Sequence, residues 1–240
     1  MNHRSSLACA AALAALTSAS DAAFHVMQIE QIIGGVNGDT SRQAIQLRMR
    51  SANQTVIGNG RLRAWDANGA NPIVIVDPTT SVTNGAVGSN VLLASVGFNA
   101  VMASVPGYAS DFTLTSLIPV AYLGGGKITW EDNSGATIYC SVAFGAYVGT
   151  NTGSTQNDAD GNFGPPTSAP PTNARQGIRF TGAATALSTT NAADYAVTAD
   201  PTTVRNNFGT TFTVVPEPGT TALVATAALG AFAFLRRRFR

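Results

Sequence analysis

Between Phe24 and Val215 apolar residues return at every second position in short runs, and each run stops at a cluster of Gly, Asn, Asp, Ser or Pro. Ala44 to Arg50 sets Ile45, Leu47 and Met49 against Gln46, Arg48 and Arg50. Phe24 to Ile33 places Met27, Ile29 and Ile33 on one face and Gln28, Glu30 and Ile32 on the other. Arg61 to Trp65 puts Leu62 inward between Arg61 and Arg63. Ile73 to Val76 is wholly apolar, as strands covered on both faces are, and Val91 to Ser95 is another apolar strand. No stripe of period 3.6 occurs in this region, so its apolar residues cannot be buried as helices. Eight or more short strands with evenly spaced turns predict an all-β sandwich.

The same reading places the connections. Gly34 to Asp39 and Asp66 to Gly69 are turn clusters. Gly97 to Met102 predicts a short helical turn, and Asp111 to Ala121 a strand that ends where Pro119 interrupts it. Gly124, Gly125 and Gly126 lead into Lys127 to Glu131, with Ile128 and Trp130 facing one way. Asn133-Ser134-Gly135 then reverses the chain into Thr137 to Val142, the clearest hairpin in the sequence. From Gly149 to Thr172 almost no apolar residue besides Phe163 interrupts the Gly, Asn, Asp, Ser, Thr and Pro, which predicts a long loop on the domain. Gly177 to Phe180 and Tyr195 to Thr198 read as short strands around a loose segment, Ala183 to Ala193. Val204 to Thr213 reads as a connector.

Both ends carry addressing chemistry. Met1 to Ala22 has a basic start at His3 and Arg4, a short apolar core from Leu7 to Leu16, and the small-x-small site Ser20-Asp21-Ala22, as secretory signals do. At the other end a Pro-Glu-Pro turn, Pro216, Glu217 and Pro218, precedes an uncharged run from Ala222 to Leu235 and the basic end Arg236, Arg237, Arg238 and Arg240. The prolines keep the chain extended and accessible. The run approaches the length that spans a bilayer, and its arginine flank marks the cytoplasmic side. These residues resemble the PEP-CTERM sorting signal of exported bacterial proteins. That resemblance implies recognition of Pro216, Glu217 and Pro218 by a membrane-embedded sorting protease of the exosortase type and removal of the remainder of the tail. The implied organisation is a signal peptide at 1–23, a β-sandwich domain at 24–213 with a long loop at 149–172, and a sorting signal at 214–240 with a transmembrane helix and an Arg-rich end. The implied route is export, transient anchoring in the inner membrane, then the cell surface or the extracellular space.

From Phe24 to Val215 nine basic residues, eight Arg and Lys127, meet eleven acidic ones, so the passenger lacks the basic footprint of a nucleic-acid binder. Only Cys9 and Cys140 occur, and Cys9 lies in the leader, so the mature domain has no internal disulfide. Cys140 reads as a buried apolar residue. A catalytic thiol would need a base, and the one mature histidine is His25 at the N-terminal edge.

The passenger resembles the lamin-tail-like family, an immunoglobulin-type sandwich found on secreted bacterial proteins. The resemblance rests on I-x-Q-I-I-G-G at Ile29 to Gly35, A-I-Q-L-R at Ala44 to Arg48, V-L-L-A-S at Val91 to Ser95, G-I-R-F at Gly177 to Phe180, and N-A-A-D-Y-A-V at Asn191 to Val197. Pro201 and Arg205-Asn206-Asn207 complete it. Gln46 departs from the acidic residue common in the family at that strand position. Such domains are binding or adhesive modules more than enzymes.

Two patches invite chemistry. Asp158, Asp160 and Asn162 offer oxygen at alternate positions around Gly161, as Ca²⁺ loops do, but no bidentate glutamate comes after them, and a solvated turn is the favoured reading. Arg48, Arg50, Arg61 and Arg63 would form a basic strip suited to an anionic exopolysaccharide if their strands pair. Glu131-Asp132 at the mouth of the hairpin reads as turn solvation. No nucleophile elbow, phosphate loop, dinucleotide or zinc signature is present, and no catalytic residue is assigned. The expectation is a non-enzymatic exported module, binding or structural in role. The alternative is a secreted carbohydrate-active or other hydrolase on a sandwich scaffold, which needs two close carboxylates in a cleft.

Overall fold

The computed structural model describes residues 23–215. The leader, Pro216, Glu217, Pro218, the apolar run 222–235 and the terminal arginines lie outside the described residues. In chain order the elements are β1 (Met27–Ile33), β2 (Ala44–Met49), β3 (Gly60–Trp65), β4 (Ile73–Val76), β5 (Asn90–Ala94), α1 (Val96–Met102), β6 (Phe112–Thr113), α2 (Val120–Leu123), β7 (Gly125–Asp132), β8 (Ile138–Gly145), β9 (Ile178–Phe180), α3 (Asn191–Asp194), β10 (Tyr195–Val197), β11 (Thr203–Arg205) and β12 (Thr211–Thr213). The fold is all-β. One sheet runs β10-β9-β1-β2-β5-β6, a second runs β4-β3-β7-β8, and β11 and β12 form a separate ribbon.

The alternation read in the sequence decides what lies between the sheets. Met27, Ile29, Ile45, Leu47, Met49 and Leu93 from the first sheet share one buried cluster with Leu62, Ala64, Ile128, Trp130, Cys140 and Val142 from the second. Removing such apolar area from water is the main force holding the layers together. Gly60 belongs to this packing, because a Cβ there would overlap the Trp130 ring. A second cluster covers the opposite face of the first sheet. There Ile33, Ala44, Leu92 and Ala94 meet Phe98 and Met102 of α1 and Val204, Phe212 and Val214 around the ribbon. Leu92 and Leu93 thus face opposite clusters, which accounts for the apolar run Val91 to Ala94. Helix α1 starts where expected, with the Ser95 hydroxyl accepting the Phe98 N–H (3.1 Å) and the Gln43 N–H (2.9 Å).

Several expectations are corrected. In β1 the register with β2 shifts between Ile29 and Gln31, so Ile32 joins Met27 and Ile29 while Ile33 turns to the other cluster. Glu30 is the extra residue that breaks the period of two. Ile73–Val76 is the edge strand of its sheet, with Ile73 and Val74 half-buried, and its Ile75 O accepts from Thr115 N (2.9 Å) and Ser116 N (3.2 Å) of a loop rather than from a further strand. Asp111 to Ala121 supplies only the two-residue β6, parallel to β5, and Pro119 precedes α2 rather than ending a long strand. Strand β7 begins inside the glycines, pairing Gly125 with Gly145. Val204 to Thr213 is no connector but the body of the β11–β12 hairpin, buried through Val204 and Phe212. The 149–172 segment is ordered against the second sheet through Asn151, Asn157, Phe163 and Thr167, all buried. Among the described residues no helix is long and apolar enough to cross a membrane.

Candidate functional site

Each polar group singled out in the sequence has a definite place. Arg48 lies on β2 of the first sheet with Arg50 just past its end, and Arg61 and Arg63 lie on β3 of the second, so the four do not line one sheet face. The predicted basic strip does not form. Arg48 donates to Gly182 O (3.3 Å) and Ala183 O (3.1 Å) and stands over the Phe180 ring. Arg50 donates to Ala186 O (2.6 Å), Thr185 O (3.0 Å), Gln156 O (2.6 Å) and Asn157 Oδ1 (3.0 Å). These arginines tie two loops to the sheet with forks that suit several carbonyls at once.

Gln46, where the resembled family carries an acid, uses both ends of its amide. Its Nε2 donates to Glu30 Oε2 (3.0 Å), and its Oε1 accepts the Arg205 N–H (2.5 Å). A carboxylate there would face Glu30 with like charge. The Glu30 carboxylate also takes Asn90 Nδ2 and lies 3.6 Å from Arg48.

Glu131 is fully buried, and its carboxylate is held by Arg61 Nε at 2.8 Å, by Arg63 Nη2 at 2.7 Å and by Arg63 Nε. Asp132 points the other way and closes the hairpin turn, accepting from Ser134 Oγ (2.5 Å), Ala136 N (3.2 Å) and Thr137 N (2.9 Å). The Ser134 hydroxyl and neighbouring turn donors hold its carboxyl down at about 2. The two neighbouring acids therefore serve separate structural tasks. Arg63 and Lys127 both stand over the Trp65 ring, at 4.6 and 5.0 Å, and Lys127 also over Tyr147 at 5.5 Å.

The Cys140 thiol is buried and reduced, as expected, and it also accepts from Ile29 N (3.4 Å) and Gln28 Nε2 (3.6 Å). Burial pushes it up to about 12, so it carries no thiolate at neutral pH.

The segment 157–162 bends with Ala159, Asp160 and Asn162 exposed and Asn157, Asp158 and Gly161 buried. Asn157 is buried, donating to His25 O (2.6 Å) and Tyr139 O (3.0 Å). Ala159 N bonds Ser188 O and Ser188 N bonds Asn157 O, both at 2.9 Å, while Gly153 N bonds Gly161 O at 3.0 Å. Asp158 Oδ1 accepts from Asp160 N (3.0 Å) and Gly161 N (2.8 Å), a bend that Gly161 makes at φ +80. Asp160 Oδ1 accepts from Asn162 N (2.8 Å), and Asn162 Oδ1 from Gly164 N (3.1 Å). The structure brings Asp158 and Asp160 side by side and uses Asn162 in the next turn. Among the described residues no three or more of His, Cys, Asp and Glu gather as metal ligands.

At the C-terminal end of the described residues Val214 is buried, and its N–H donates to Thr202 O at 2.9 Å. The β body therefore holds the chain up to the residues that directly precede Pro216. A family model for the PEP-CTERM protein-sorting motif matches residues 214–238, which include Pro216, Glu217 and Pro218. The match marks an exported protein with a membrane-associated sorting tail that an exosortase processes. No curated protein matches the chain.

Proposed function

We propose that the chain is a non-enzymatic β-sandwich module, binding or structural in role, delivered to the cell surface or extracellular matrix through its PEP-CTERM tail. The observation that carries the reading is the junction at Val215. A sorting motif spanning 214–238 begins at residues packed into a β body, Val214 being buried with its N–H bonded to Thr202 O, so the tail follows this domain directly. An immunoglobulin-type, lamin-tail-like assignment is supported by strand order. Setting β1-β2-β5 against β4-β3-β7-β8 gives the arrangement of strands A, B, E facing C′, C, F, G in immunoglobulin-type sandwiches. Support for a non-catalytic role comes from the ionisable groups, since Glu131, Asp132 and Cys140 are committed to structural contacts. Exopolysaccharide is the partner class to test, through a surface other than the arginine strip.

The experiment is to fractionate cells producing the wild type and a Pro216→Ala, Glu217→Ala, Pro218→Ala variant, then read the C-terminus of each product by mass spectrometry. The wild type is expected outside the inner membrane without its Arg-rich end, and the variant in the membrane with that end intact. Recovery of the wild type from the cytoplasm with both ends uncut would overturn the proposal.

A further inference from the structure

Asp158 is 0% exposed, yet its Oδ2 has no hydrogen-bond partner. Its other oxygen already takes two backbone N–H groups, which favour an ionised carboxylate. Burying a charged oxygen without a partner is costly, and native structures rarely leave one so. Asp160, two residues on and itself exposed, adds a second carboxylate whose charge disfavours the ionised form of Asp158. Neighbouring like charges repel unless a proton or a cation relieves them.

We propose that Asp158 and Asp160 form a Ca²⁺ site, with Asp158 Oδ2 and the exposed Asp160 carboxylate as its two anionic ligands. The surrounding loop is preformed. Ser188 pairs with 157–159 on one side, Gly153 with Gly161 on another, and Phe163 is buried behind. Binding therefore does not have to order the chain. Asp158 is buried and Asp160 is exposed, so the pair reaches the surface, where backbone carbonyls and water can complete the shell. An all-oxygen donor set without imidazole or thiolate suits a hard cation, and Ca²⁺ tolerates the irregular shell that two carboxylates leave. Two anionic ligands give weak binding, with Kd on the order of 10⁻⁴ to 10⁻³ M, the range of extracellular modules. The competing way to relieve the pair is a proton. Burial pushes the Asp158 carboxyl upward, against the Asp160 and Gly161 N–H groups that pull it down.

The test uses the detergent-solubilised full chain at neutral pH, titrated with CaCl₂ in a calorimeter and melted with and without the ion. One site per chain is expected, and at about ten times Kd the melting temperature rises by roughly 3–6 °C. Asp158→Asn keeps the Oδ1 acceptor but places an amide at the orphan oxygen, so it loses both heat and shift. Asp160→Asn, an exposed change that leaves the fold intact, weakens binding by roughly tenfold or more. Wild-type protein with no heat and no shift would mean that a proton holds the pair, and the proposal fails. Undiminished binding in both variants would place the ion elsewhere and fail it equally.

Discussion

Lys127 shows how one residue's surroundings set the pH response of the domain. It lies 5% exposed on β7 with its Nζ donating to Thr150 O at 2.9 Å. Burial pushes the ammonium down to about 8, with Glu131 opposing and Arg63 adding to the drop. In the unfolded chain a lysine keeps its proton up to about pH 10.4. Between about 8 and 10 the unfolded state thus holds a proton that the folded state has released, and stability rises with pH. Below 8 both states are protonated, and this residue contributes no slope. The expected gain is about 1 kcal/mol per pH unit in that window. Urea unfolding at pH 8, 9 and 10 checks it against Lys127→Met, which keeps the aliphatic stem and should remove the rise. An equal slope in both proteins would refute the assignment. None of this is legible in the sequence, where Lys127 is simply the first polar residue of an alternating strand. Its surroundings come from Trp65, Tyr147 and Thr150, which only the folded chain brings together.

The elements divide by how strongly their local pattern speaks. Strands β2, β3 and the β7–β8 hairpin are legible because Ile45, Leu47 and Met49, or Ile128 and Trp130, repeat without a break. The bulge at Glu30 is not, since one inserted residue reverses every later side chain and leaves no compositional mark. The β11–β12 ribbon is hidden for a different reason. Each strand has three residues and one buried apolar side chain, Val204 or Phe212, among Thr and Arg. The 149–172 segment carries no helix or strand, and amides hold it to the domain. Asn151 donates to Gly164 O (3.0 Å) and Asn191 Oδ1 (2.7 Å) and accepts from Ser141 Oγ (2.6 Å), in a composition that otherwise signals solvation. The ribbon carries the sharper prediction, because a connector and a core element respond oppositely to truncation. Phe212 is 3% exposed, packed beside Tyr108 with ring centroids 5.2 Å apart. Phe212→Ala should therefore cost about 3–4 kcal/mol, read as a lower urea midpoint at unchanged slope. A change within about 0.5 kcal/mol, as at an ordinary surface site, would return 204–213 to the status of a tether.

At the scale of the molecule, folding information and sorting information meet at one peptide bond. Upstream of it, Val214 closes the second cluster and its N–H is bonded to Thr202 O. Downstream, Pro216 can neither donate a backbone hydrogen bond nor continue a ladder, so the ribbon has a built-in stop. The matched motif overlaps the described residues at Val214 and Val215. If the two functions are separable, a flexible Gly/Ser spacer between Val215 and Pro216 should leave thermal unfolding unchanged. It should add only its own mass to the processed product, because the body keeps every described contact and the tail keeps its motif. Deleting Val214 and Val215 should do the reverse, lowering the melting temperature while leaving Pro216, Glu217 and Pro218 available. Circular dichroism melts and intact-mass spectrometry of the two variants read both halves. A spacer that lowered the melting temperature would show that the tail braces the sandwich, and the boundary at Val215 would have to be redrawn.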